Sequence, residues 1–345
     1  MNVINLRNNK LHGNNDLPNN YQHYLALDWS IKTMAIARLK VGWRGPKIIE
    51  RPSDLSELKL MLDHLTGKKI LTIEETTSSH WLYMELCDHV DRIIICDPYR
   101  NRLLADGPKT DKIDAGKLCL LLQAGLLKEV YHSLSGLYQL RRLASAYNDV
   151  VKAGVCLLNQ KAAFLKVEGL RADQVKSTTA LFIMDHINDG IEQYRNTKEN
   201  YEKKFEVICR RNPQLKKLKS IPGIGDIGAI RILAQVIDAR RFKKSGHYLS
   251  YCGLVNLEKL SGGRSYGKKK PRYSRLLKSV YKTAALACIS AHNPIRDYYD
   301  YLLEKGLAEH NARNAVARYI AKVSYGILKS GLEYEPYKWR EKKEK

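Results

Sequence analysis

Residues 24–39 read Tyr-Leu-Ala-Leu-Asp-Trp-Ser-Ile-Lys-Thr-Met-Ala-Ile-Ala-Arg-Leu, and the fold turns on how this stretch divides. Tyr24 to Asp28 and Met34 to Leu39 are short β-favouring runs, with Ser30 to Thr33 as the turn between them. A third short run follows from Lys47 to Glu50. Ser53 then opens a helical pattern with apolar Leu55, Leu58, Met61, Leu62 and Leu65 at 3–4 spacing. Ile70 to Glu74 reads as a buried strand, about Trp81 to Val90 as a helix, and Ile93 to Cys96 as another strand, ended by Asp97 and Pro98. A further helix is expected from about Asp111. Hairpin strands followed by strand–helix units predict a mixed sheet with helices on its faces.

Beyond residue 134 the strand signals stop. One long helix is predicted over 136–168 and a second over 178–211. In the second, Met184, Ile187, Ile191, Tyr194, Tyr201, Phe205 and Ile208 follow 3–4 spacing, with Lys198 at one seam position. This is the pattern of a helical hairpin or coiled coil, or of helices packed onto a neighbouring domain. Gly190 weakens the pattern and Pro213 ends it. The last third reads as mainly helical, with a Gly-rich turn at 221–225, a Gly/Lys/Arg-rich loop at 261–272, and helices around 274–290 and 310–331. The fold class expected is α/β plus all-α: a sheet domain over 21–134, a helical connector over 135–212 and a helical domain over 213–345. The polar, Asn-rich residues 1–20 read as a disordered tail.

The charge balance narrows the partners. Of 345 residues, 59 are Lys or Arg and 36 are Asp or Glu, a formal net charge of +23. Such an excess favours a polyanion, because each neutralised phosphate releases counterions. No apolar run approaches the length that spans a bilayer. The seven cysteines are scattered, with no Cys-x-x-Cys pair, which argues against a disulfide framework or zinc ribbon and suits a reducing cytosol.

Four acids stand where a metal site needs them. Asp28 ends the first strand and Glu74 the strand after the first helix. Asp111 and Asp114 lie three apart at a helix start, which puts both on one helical face. Gathered at one sheet edge, they would repel and raise one another's pKa values unless a cation neutralised them. Hard oxygen ligands suit Mg²⁺ or Mn²⁺, ions that stabilise the attacking and leaving oxygens of phosphodiester cleavage. Any one of these acids alone has a structural explanation, and alternation leaves Glu75 as a rival to Glu74.

Between Glu258 and Asp297 there is no acid at all. Arg264, Lys268, Lys269, Lys270, Arg272, Arg275 and Lys278 fall in that window, interleaved with Tyr266 and Tyr273, a composition suited to gripping phosphates. Ser261 opens the loop as Leu-Ser-Gly-Gly-Arg. A serine hydroxyl attacks a phosphodiester only with help from a base or from cations that stabilise the developing charge. Ser-Gly-Gly is more often a flexible turn than a nucleophile, and Ser265 is an equal candidate. Ile-Pro-Gly-Ile-Gly at 221–225 resembles a helix-hairpin-helix turn, whose Gly223 and Gly225 would expose backbone N–H groups to phosphate; an interhelical turn explains it equally well.

With these residues in place, the chain resembles the insertion-sequence transposases that pair a RuvC-like acidic domain with a serine-bearing transposase domain, the bridge-RNA-guided DNA recombinases. The matching segments are Leu-Ala-Leu-Asp-Trp-Ser at 25–30, Ile-Glu-Glu-Thr at 73–76, Lys-Thr-Asp-Lys-Ile-Asp-Ala at 109–115, Ser-Ile-Pro-Gly-Ile-Gly at 220–225, Tyr-Cys-Gly-Leu at 251–254, Ser-Gly-Gly at 261–263 and Val-Ser-Tyr-Gly-Ile-Leu-Lys-Ser-Gly at 323–331. The resemblance implies an RNase H-like first domain and an acidic quartet of Asp28, Glu74, Asp111 and Asp114 holding Mg²⁺. It implies Ser261 as the nucleophile that forms a phosphoserine link to DNA. It further implies a noncoding bridge RNA that pairs with donor and target DNA, and a dimer or tetramer whose subunits share the site. The chain departs from the pattern in three places: Asn256 stands for the proline of Gly-Leu-x-Pro, Thr77 for a glycine after the acidic strand, and Lys268 to Pro271 for a later Gly-rich segment. Two other readings fit the residues: a hydrolytic nuclease of resolvase type in which Ser261 is only loop, and a non-catalytic RNA-binding protein.

Overall fold

A computed structural model describes residues 21–100, 110–133, 136–169, 171 and 175–340. The tail expected over 1–20, and Lys109 of the acidic motif, lie outside them. The chain divides into two compact units, residues 1–135 and 136–345.

In the first unit, β1 (His23–Trp29), β2 (Thr33–Lys40) and β3 (Lys47–Pro52) form an antiparallel meander. β4 (Lys69–Glu74) and β5 (Arg92–Cys96) add in parallel beside β1, giving the order β3-β2-β1-β4-β5. Helices α1 (Leu55–Asp63) and α2 (Ser79–Leu86) are the two crossovers that parallel pairing demands. Side-chain alternation sorts the sheet into two faces. Leu25, Leu27, Leu71, Ile73, Ile93 and Ile95 pack with Leu58, Leu62, Leu82 and Leu86 of α1 and α2. Tyr24, Ala26, Ala35, Ala37 and Ile70 pack with Ala115, Leu118, Cys119 and Leu122 of α3 (Asp111–Gln123) on the other face. The small residues of this second face let α3 lie close: an added Cβ on Gly116 would stand 3.0 Å from Ile48. The Cys119 thiol donates to the Tyr24 carbonyl at 3.3 Å, so α3 runs back along β1 from Asp28 towards Tyr24.

The second unit starts with α4 (Leu137–Glu168) and α5 (Thr178–Arg211), the two long helices expected. Each is about 50 Å long at 1.5 Å per residue. Met184, Ile187, Ile191 and Phe205 of the predicted seam are buried. Gly190, which looked like a flaw, is a close-approach position: Leu157 of α4 lies 3.3 Å from where its Cβ would be, and Tyr194 fills the matching space at Gly154. The base of the hairpin is not a separate connector. Leu140, Ala144, Tyr147, Phe205 and Cys209 belong to the same core as α6 (Pro213–Lys219), α7 (Asp226–Val236), α8 (Ser245–Tyr251), α9 (Arg275–Ile289), α10 (Pro294–Glu304) and α11 (Glu309–Ser330). A buried hydroxyl chain from Tyr248 to Tyr281 to Ser324 ties α8, α9 and α11 together. Residues 257–269, which overlap the loop expected at 261–272, form a hairpin of β6 (Leu257–Ser261) and β7 (Arg264–Lys269).

Candidate functional site

The acidic edge follows from sheet register. β1 and β4 pair Leu27 with Ile73, so Asp28 and Glu74 are the next residues on adjacent parallel strands. Both share parity with the α3 face, whereas Glu75 would point to the α1/α2 side. The sheet thus separates two residues that alternation within one strand could not. Since α3 runs antiparallel to β1, its N-terminus comes to the same edge. Thr110 caps it by accepting from the Ile113 N–H at 3.3 Å, which places Asp111 and Asp114 in the first turn. Burial raises the Asp28 carboxyl above its ordinary range, and the negative charges of Asp111 and then Asp114 push it the same way. Asp114 Oδ1 is buried without a hydrogen-bond partner. A buried carboxylate oxygen with no donor is costly, and a cation is the usual remedy.

The donors are therefore right in kind for a hard divalent ion. They do not yet form a cage: among the described residues, no group of three or more His, Cys, Asp or Glu could hold a metal ion in its present arrangement. Asp28, Asp111 and Asp114 are brought within electrostatic reach of one another, and Glu74 stands one strand away on the same face. Missed in the sequence was Trp81, 41% exposed, which packs edge-to-face on Trp29 at 5.7 Å. Its signal was an aromatic residue soon after an acidic strand end.

The serine segment is built differently. Gly262 and Gly263 have φ of 54° and 77°, the paired positive values of a two-residue hairpin turn. Ser261 is thereby set directly opposite Arg264. The register then steps by one between Lys259–Gly267 and Leu260–Ser265, leaving Tyr266 as the extra residue. Ser265, the rival nucleophile, faces Leu260 rather than a cation. Every residue of both strands is exposed, and among the described residues no side-chain base hydrogen-bonds the Ser261 hydroxyl. Arg264, Lys268 and Lys269 lie on β7, Lys270 and Arg272 follow it, and Arg275 opens α9.

The feet of the hairpin are held firmly. Gly253 has φ +66°, and the Tyr273 ring occupies the place of a Cβ, 2.3 Å from it. The Ser274 N–H donates to the Tyr251 carbonyl at 2.8 Å, and the Ser274 hydroxyl caps α9. Tyr-Cys-Gly-Leu at 251–254 is thus the packed root of the serine hairpin.

The turn at 221–225 separates its two glycines. Gly223 has φ +80°, and a Cβ there would meet the Ala284 carbonyl at 2.5 Å and Cys288 Sγ at 2.6 Å. It is a close-packing glycine pressed onto α9, where only a residue without a side chain fits. Gly225 opens α7 with free space where a Cβ would stand. The adjoining Asp226 already complements the helix N-terminus and pairs with Lys219 at 2.6 Å.

Residues 215–300, from α6 through the serine hairpin into α10, match the model of the transposase IS116/IS110/IS902 family. The segment that carries the serine hairpin and its root is thus similar to that family. The chain is 32% identical over 135 residues to the 43.6 kDa protein of insertion element IS110 from Streptomyces coelicolor, covering 39% of this chain and 33% of that one. It is 26% identical over 176 residues to the 44.8 kDa protein of IS116 from Streptomyces clavuligerus, 49% and 44% of the two chains. A probable family 20 transposase of Pseudomonas aeruginosa is 20% identical over 282 residues, 75% of this chain and 82% of that one. The matches to the two Streptomyces proteins thus span less than half of their lengths. Among the described residues, no helix is long and apolar enough to cross a membrane.

Proposed function

We propose that this protein is a DNA transposase that cuts and rejoins DNA, with the first unit as an RNase H-like, RuvC-like domain. The observation that carries the reading is the acidic edge. One sheet register and one helix start bring the charges of Asp111 and Asp114 to bear on Asp28 beside Glu74, with an Asp114 oxygen buried and without a hydrogen-bond partner. Asp28, Glu74, Asp111 and Asp114 would hold Mg²⁺, with Mn²⁺ as a substitute. The ion, when bound, supplies charge neutralisation at the scissile phosphate.

In the strand-transfer step, Ser261 Oγ gives up its proton and bonds to phosphorus, the phosphorus–deoxyribose ester breaks, and the freed deoxyribose oxygen takes up a proton. Attack by a second DNA hydroxyl reverses the sequence and releases the serine. The phosphoserine ester conserves the bond energy that hydrolysis would discard. Arg264, opposite Ser261, is positioned to balance the pentavalent phosphate, and the basic run through Arg275 grips the DNA backbone. The proposal includes a noncoding bridge RNA as guide, action on nucleoid DNA in a bacterial or archaeal cytoplasm, and a dimer or tetramer in which one copy's acids and another's serine share a phosphate.

The test incubates the full chain with donor and target DNA, the flanking noncoding RNA and Mg²⁺. Covalent protein–DNA adducts are expected. They should vanish in Ser261→Ala, and should fall by roughly 10³-fold in Asp28→Asn and Asp114→Asn. DNA cutting that survives Ser261→Ala would replace this reading with a hydrolytic nuclease. Full function in Asp111→Ala would leave only a nucleic-acid-binding protein.

A further inference from the structure

The motif at 323–331 is used by neither the acidic edge nor the serine hairpin. It lies on α11, and its Gly326 sits inside a 22-residue helix, where glycine is less favourable than alanine. No tight packing explains it: a Cβ there would meet nothing within 4 Å. That open space is a groove of about 540 Å³ between α11 and the chain that follows it, within the range of pockets that take small ligands, roughly 300–1,000 Å³.

The far wall of the groove is the segment 331–340, folded back and pinned at several points. Lys217 donates to the Gly331 carbonyl, and the Tyr334 N–H donates to Ser220 Oγ at 3.3 Å. Trp339 Nε1 donates to the Pro294 carbonyl at 3.4 Å. The lining is aromatic. Tyr298 lies 5.0 Å from Tyr319 and 5.3 Å from Trp339, ring centre to ring centre, and Tyr334 completes the wall. The Tyr319 and Tyr334 hydroxyls are buried and close enough to influence each other's ionisation, yet neither makes a hydrogen bond of normal geometry. Arg318 and Lys322 stand along the groove with no carboxylate paired to either among the described residues, whereas Lys338 is engaged by Glu335.

Flat rings, unsatisfied buried hydroxyls and unpaired cations on one helix match a base attached to a phosphate better than an apolar peptide, which would use neither hydroxyls nor cations. We propose that the groove between α11 and 331–340 takes an unpaired nucleobase from a single-stranded nucleic acid, with Arg318 and Lys322 on its flanking phosphates. Stacking on tyrosine and tryptophan tolerates any base, because each has a π-face. The inference rests on the reading of the chain as a nucleic-acid enzyme and adds a site to it.

The test uses the full chain with short single strands in DNA and RNA versions, each with one base replaced by 2-aminopurine or by an abasic position, and a duplex of the same sequence. The 2-aminopurine fluorescence should fall on binding. Gly326→Leu, which fills the groove, and Trp339→Ala should each weaken single-strand binding by roughly 5- to 100-fold and leave duplex binding unchanged. Gly326→Ala should raise the thermal midpoint, which shows that the helix does not need the glycine. Preference for the RNA or the DNA strand names the source of the base. Unchanged single-strand affinity in a folded Gly326→Leu protein, or abasic strands that bind as tightly as intact ones, would overturn the proposal. Loss of all duplex binding and strand transfer in the unaltered chain, with groove-dependent single-strand binding retained, would instead sink the proposed function alone.

Discussion

The acidic edge and the serine hairpin place chemistry in opposite ways. Asp28 is the penultimate residue of β1 and Glu74 the last of β4; Leu27 and Ile73, one step behind, are 0% and 2% exposed. Their position is set by core packing and cannot drift without unfolding the sheet. Ser261 sits on a two-stranded ribbon with no buried residue, fixed only by the Gly-Gly turn at its tip and by Gly253, Tyr273 and Ser274 at its root. A ribbon of two strands is marginal in water on its own. On the proposed mechanism the contrast suits a division of labour: carboxylates that would hold an ion at fixed spacing are built into a core, and a serine that would approach and leave a phosphate is carried on an exposed element.

The largest effect that tests this contrast is in the core. Leu27→Ala should destabilise the first unit by about 3 kcal/mol through lost burial and a residual cavity. Leu260→Ala, at a position 62% exposed on the ribbon, should stay within about 0.5 kcal/mol of the unaltered chain. Urea unfolding read by tryptophan emission separates the units, since Trp29, Trp43 and Trp81 lie in the first and Trp339 in the second. A large loss in Leu260→Ala would show that the ribbon is packed against something after all.

A smaller effect sharpens the ribbon half. Gly262→Ala combined with Gly263→Ala puts side chains at two positive-φ positions, at roughly 1 kcal/mol each. The ribbon should fray locally: amides of 257–269 lose hydrogen-exchange protection, adduct formation at Ser261 falls about tenfold, and the global midpoint holds. A matching drop in the midpoint would mean that the hairpin supports the helical core.

The same contrast explains how much was legible in sequence. The core-built parts declared themselves because burial writes periodicity: the strands that carry Asp28 and Glu74, both long helices, and α9 and α11 all show it. The choice between Glu74 and Glu75 was not readable in one strand, since it depends on the partner register that sets Leu27 beside Ile73. The ribbon was missed because all its residues are exposed and its strands show no apolar alternation; only the Gly-Gly pair pointed to a two-residue turn. Helix α10 was missed although Asn293 and Pro294 are a capping residue and a first-turn proline. Gly223 and Gly225 looked alike in sequence, and only the neighbouring α9 backbone shows that Gly223 is also a close-packing position.

The smallest effect concerns the start of the same strand that carries Asp28. His23 is 2% exposed, and its Nε2 lies 3.1 Å from the Thr66 carbonyl, which can only accept, so Nε2 carries the proton. Nδ1 is buried with no partner. Burial lowers the His23 pKa from its ordinary 6.5, the nearby Arg38, Lys40 and Lys69 push it further down, and the Thr66 hydrogen bond only partly opposes them. A histidine whose folded pKa is depressed is neutral in both states above the unfolded value, so its contribution is fully present there. As pH falls below about 6.5, the unfolded chain takes up a proton that the folded one resists, and stability is lost until the folded pKa is passed. The first unit should therefore hold its urea midpoint from pH 8 to 7 and weaken below about 6.5, by at most about 1.4 kcal/mol per pH unit. His23→Gln keeps a donor for Thr66 but cannot titrate, and should flatten that decline. If the decline persists unchanged in His23→Gln, the strand start is not the acid-sensitive point, and the fixed half of the comparison would owe its pH dependence to other groups.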